Sequence, residues 1–236
     1  MVIHCVWEHN GDDSLMHAEN FPGAFTRGEN KEIALSKMEQ EVTSYLHWKG
    51  EPIPVHLKVE IVQEQETNLQ IRDADSDVIF DSEKEPLVAE EYRRIKEWVM
   101  KSAADFEKLY RQIPDQNQSV LKPRKTFYGN LPCTALEMYE HTKNVNAYYF
   151  GEIEVEADNA GSIYECRSRG FELLEKTPDF LSNQIFLGNG DELWSLRKVM
   201  RRFLWHDRIH AKAMWRMARR TFGEQSIENI FRFEQF

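Results

Sequence analysis

The chain has 236 residues, 41% hydrophobic and 30% charged, a balance that excludes a disordered polypeptide and is long enough for two domains. A net charge of −10 and a pI near 5.4 speak against general nucleic-acid binding, because neutralising phosphates takes a basic surface. No apolar run nears the roughly 18 residues of a membrane span, and Met1-Val2-Ile3-His4-Cys5 lacks the basic and apolar regions of a secretory signal.

Cys5, Cys133 and Cys166 are an odd, scattered set without a CxxC pair. That pattern predicts free thiols in a reducing compartment, the cytoplasm, not a disulfide framework.

Residues 1 to 85 read as a small α/β domain. Val2 to Trp7 is a short apolar run suited to a strand, the turn Asn10-Gly11-Asp12-Asp13 follows, and Leu15 to Glu19 returns as its hairpin partner. Phe21 to Gly28 is turn and short strand. Asn30 is placed to cap a helix that buries Ala34, Met38, Val42 and Tyr45 and ends before Gly50 and Pro52. Val55, Leu57, Val59 and Ile61 alternate with His56, Lys58 and Glu60, the pattern of a half-buried strand.

The run Phe21-Pro22-Gly23-Ala24-Phe25-Thr26-Arg27-Gly28-Glu29-Asn30-Lys31-Glu32-Ile33-Ala34-Leu35 resembles the turn-into-helix of HicB-like domains, over about 60 residues. In toxin–antitoxin systems such domains accompany a DNA-binding segment and a toxin partner. This chain has no ribbon-helix-helix segment, so the resemblance implies the fold of the small domain and not that function.

The stretch from Ile71 to Pro86 is acidic. Asp73, Asp75 and Asp77 mimic the opening of a calcium loop, but Val78 stands where the loop needs Gly and Lys84 where it needs Glu. The stretch is therefore expected to be a connector between two halves.

From residue 86 onward the period is that of long helices. Val88, Tyr92, Ile95, Val99, Ser102, Phe106, Leu109 and Ile113 step by three and four until Pro114 ends the run. Further helices are predicted from about Pro132 to Glu154, Ala160 to Lys176 and Glu192 to Phe222, the last closed by Gly223. The expected fold class is α+β in two domains, with an antiparallel four-helix bundle over 86–236.

The chemistry points to three histidines. In the last helix Leu196, Val199, Phe203, His206, His210, Ala213 and Met217 form one stripe, so two imidazoles occupy consecutive turns of an apolar seam. A lone seam histidine is usually a satisfied core residue; an adjacent pair can close on one metal. In the second helix Leu131, Thr134, Met138, His141, Val145 and Tyr148 step likewise and turn His141 inward. Three neutral nitrogens leave coordination positions open, as in catalytic rather than closed structural sites. His4, His9, His17, His47 and His56 have no ligand spacing.

Glu137-Met138-Tyr139-Glu140-His141-Thr142, then Gly151-Glu152, resembles the second helix of DinB/YfiT-like four-helix bundles. Glu192-Leu193-Trp194-Ser195-Leu196-Arg197-Lys198-Val199 with His206-Asp207-Arg208-Ile209-His210 resembles that family's closing HxxxH signature, and the similarity runs from Leu87 to Gly223. The resemblance implies a divalent metal (zinc or nickel) on His141, His206 and His210, a homodimer, and in some branches low-molecular-weight thiol transfer or hydrolysis.

Glu137 is a candidate base or orienting group, set against an exposed helix carboxylate. Asn144 and Tyr148 share the His141 side, and Tyr148 is equally explained as core packing. Asp207 points about 100° from His206 and is not assigned to a metal. Trp194 and Trp215 read as packing residues. The nine basic residues from Arg197 to Arg220 read as a solvated helix back favoured by the helix dipole. Three functions stand: a metalloenzyme activating a thiol or water on a small-molecule substrate, a non-catalytic binding or regulatory module with a structural or vestigial metal, and, resting on the small domain alone and the weakest, an acidic regulator resembling an antitoxin.

Overall fold

The computed structural model of the chain describes residues 1–126 and 129–234. Its N-terminal part is a four-stranded sheet of β1 (Val2–His9), β2 (Ser14–Ala18), β3 (Phe25–Gly28) and β4 (Lys58–Glu66), in the order β3-β2-β1-β4. β1 pairs antiparallel with β2, and β2 with β3. β1 pairs parallel with β4, with a register shift between Cys5 and Val6.

A parallel pair needs a long crossover, and α1 (Lys31–Ser36) and α2 (Met38–Lys49) supply it. The Asn30 side chain accepts from the Ile33 amide and starts α1, and Gly50, at φ 73°, closes α2 in the left-handed conformation. Ala34, Met38, Val42 and Tyr45 are all buried as expected. The last strand begins later than the alternation suggests: Val55 is 90% exposed and pairing starts at Lys58. Pro52 and Pro54 have no amide hydrogen for a ladder, which keeps that stretch outside the sheet.

Beyond the sheet the chain is helical: α3 (Ala89–Arg111), α4 (Ala135–Gly151), α5 (Ile163–Leu174) and α6 (Leu196–Phe222). α6 packs on α3 and α4, and α5 packs on the same two. Thr134 with Glu137 and Ser162 with Glu165 form capping boxes at α4 and α5, and Ser195 caps α6. Gly170 lets α5 approach α4, since a Cβ there would lie 2.1 Å from the Phe150 ring. No described helix is long and apolar enough to cross a membrane. Cys5, Cys133 and Cys166 are free thiols.

The acidic connector proves to be part of the packing. Val78 and Phe80 are buried, and the segment is held against α6. The Arg202 and Arg201 guanidinium groups donate to the carbonyls of Ser76 (2.7 Å) and Val78 (2.9 Å), and the Lys198 ammonium donates to that of Asp77 (2.6 Å). This also corrects the solvated-back reading of α6: Lys198, Arg201 and Arg208 are buried, with Glu192, Glu83 and Glu41 as their carboxylate partners. Buried charges persist where paired and hydrogen-bonded, and the Arg201–Glu83 and Arg208–Glu41 pairs join segments far apart in sequence. The apolar core runs without a break from the sheet to the helices. At its seam Gly23, at φ 95°, lies so close to α6 that a Cβ would sit 2.5 Å from that of Leu204.

Candidate metal centre

His206 and His210 are one turn apart on α6, and His141 faces them from α4. Ring centroids are 5.0 Å apart for His141–His206, 4.6 Å for His141–His210 and 4.5 Å for His206–His210. One nitrogen from each ring lies within 4.8 Å of the others, and the cluster could hold a metal ion. The Nε2 atoms of His141 and His206 are 3.2 Å apart. Two nitrogens bound at 2.0–2.1 Å to a tetrahedral ion would lie about 3.3–3.4 Å apart, so this spacing fits shared coordination. Without an ion the same spacing is that of one imidazole donating to another, which leaves the third ring outside the pair.

Electrostatics keep the rings in the ligating form. Burial lowers the pKa of His141. Burial, then the neighbouring His210, His141 and Arg202, places His206 well below its usual range. His210 is pulled down to about 3 by burial and by His141. Neutral imidazole is the metal-binding state. The Nδ1 of His206 is buried without a hydrogen-bond partner among the described residues.

Surrounding groups set the walls. Tyr149 is buried with its ring 6.1 Å from that of His206, edge to face, and also contacts Trp194 and Phe203. The Arg202 guanidinium lies over Tyr149, Trp194 and Trp205. Behind His206, Asp207 is buried against Arg167.

The α4 seam differs from its predicted register. Its buried face is Ala135, Met138, Tyr139, Thr142, Asn146, Tyr149 and Phe150, which puts His141 on the flank and leaves Tyr148 42% exposed. Asn144 is exposed and its carbonyl accepts from Asn159. Glu137 does not join the histidines. Its carboxylate accepts from the Cys133 and Thr134 amides, and these bonds hold its pKa below the usual range. A carboxylate so engaged at a helix cap is a poor base. Trp194 and Trp215 are buried as expected.

Sequence reasoning missed Tyr149 and the Arg167–Asp207 pair as neighbours of the site. Arg202 is visible in the sequence as the residue one turn before His206; Arg167 carried no signal. Compared with known protein families, curated proteins and solved structures, the chain matches none.

Proposed function

We propose that the chain is a divalent-metal protein of DinB/YfiT-like type: a HicB-like sheet domain followed by an antiparallel four-helix bundle of α3 to α6, with zinc or nickel on His141, His206 and His210. The observation that carries the reading is the convergence of one nitrogen from each of three imidazoles on two helices within 4.8 Å, with no carboxylate or thiolate among the described residues joining the group. A three-nitrogen set leaves a coordination position open, which distinguishes catalytic from closed structural sites.

The chemistry supplied by such an ion is a lowered pKa for a bound thiol or water, giving a nucleophile near neutral pH. The chain's own residues then have separate tasks. The three histidines hold the ion in neutral form. Tyr149 and Trp194 exclude solvent from one flank, and Arg202 adds a fixed positive charge one turn from His206. The activity that follows is thiol transfer or hydrolysis on a small-molecule substrate, in a homodimeric cytoplasmic protein.

The second reading is a non-catalytic binding or regulatory module. It is favoured by the engagement of Glu137 in the α4 cap, which leaves no carboxylate base beside the histidines among the described residues. Cobalt substitution separates the two. An open site gives a cobalt absorption spectrum that shifts on addition of 2-mercaptoethanol, and the shift is lost in His210→Ala. A spectrum indifferent to thiols and anions would establish a closed site and the module reading.

A further inference from the structure

A cavity of about 450 Å³ lies between the sheet part and α6, and none of the three histidines lines it. It is walled by β3 (Phe25, Arg27), by the α1–α2 junction and α2 (Lys37, Glu41), by α6 (Lys212, Arg216) and by Glu234. Among the described residues, Lys37, Lys212 and Arg216 bring three cations to this wall, in a protein of net charge −10.

One carboxylate is already committed. Glu41 is buried, its Oε1 accepts from Arg208 at 2.6 Å, and its Oε2 stands 3.6 Å from the Lys212 ammonium. Lys212 therefore shares its counter-ion with an arginine. Arg216 makes no hydrogen bond or ion pair with any described residue in the structure. Burial depresses the pKa of both; Glu41 opposes the shift at each, while Arg216 and Arg208 add to it at Lys212 and Arg220 at Arg216. Two crowded, under-compensated cations on adjacent turns of one helix face are what an anion stabilises.

We propose that this cavity binds a small phosphate monoester. The phosphate accepts from Lys212, Arg216 and Lys37, while the organic group lies against the half-buried Phe25 ring. A volume of a few hundred Å³ with one aromatic wall and a few convergent polar groups is that of a small-ligand site. Arginine and lysine together suit phosphate, the one planar and multidentate, the other a point charge.

The test is titration of the EDTA-treated full chain with phenyl phosphate at pH 8, followed by calorimetry and amide NMR. The expected result is saturable one-to-one binding that weakens as salt rises, with inorganic phosphate at least tenfold weaker and phenol without effect. Lys212→Met with Arg216→Met should weaken phenyl phosphate at least tenfold, while Arg93→Met, an exposed charge elsewhere, and His206→Ala should bind as wild type. Should the double variant fail to fold by circular dichroism, Lys37→Met and Arg216→Met alone, both at exposed positions, should each weaken binding severalfold. Absence of saturable binding, equal binding of phenol, unchanged affinity in the folded cavity variants, or loss in His206→Ala would each overturn the proposal.

Discussion

The Asp207 carboxylate and the Arg167 guanidinium form a two-pronged pair with no solvent exposure, Oδ2 to Nη1 at 2.6 Å and Oδ1 to Nη2 at 3.2 Å. The pair ties α5 to α6 at the residue following His206, so it fixes the rotation of α6 that presents the histidines. Removing one partner strands the other charge in the interior, at a cost of about 3–5 kcal/mol. Asp207→Asn is expected to lower stability by that amount in urea unfolding. A loss under about 1 kcal/mol would mean that the pair is not closed in solution.

Four histidines make the metal-free protein acid-sensitive. His17, His141, His206 and His210 all have lowered pKa values, with burial the main cause. Above the unfolded value near 6.5 both states are neutral and nothing is lost. As pH falls below it, the unfolded chain takes up protons that the folded chain refuses. Stability therefore declines from about pH 6.5 downward, by at most about 1.4 kcal/mol per pH unit for each such proton. Denaturation of the metal-free protein between pH 7 and 5 should show this decline, and a shallower one in His206→Ala. Equal slopes would assign the acid sensitivity elsewhere.

Limited trypsin digestion is expected to cut first at Arg124 or Lys125, in the largely exposed stretch 114–126. The 71–85 segment should be cut later, because Ser76, Val78 and Phe80 are buried and three α6 side chains hold its carbonyls. Initial cleavage at Arg72 or Lys84 would restore the open connector that the acidic composition suggests.

The difference between those two pictures marks where sequence stops being informative. The α6 stripe was legible because apolar residues at three-four spacing leave one face for the core, and His206 and His210 fall on it. α4 was read one residue out of register: Tyr148 and Tyr149 are adjacent and equally aromatic, and only packing against Phe203 and His206 decides which is buried. Arg201 and Arg208 looked like solvent-facing charges because their partners Glu83 and Glu41 lie more than a hundred residues away. Such pairs follow from the tertiary fold and have no local signature.

Metal content tests the central claim most directly. The purified chain, dialysed against zinc or nickel and then against metal-free buffer, should retain about one ion per chain, as one set of three ligands implies. Replacing His141, His206 and His210 together by alanine should abolish retention while circular dichroism stays helical. A wild-type chain that retains no ion, or a triple variant that retains as much as wild type, would contradict the metal centre.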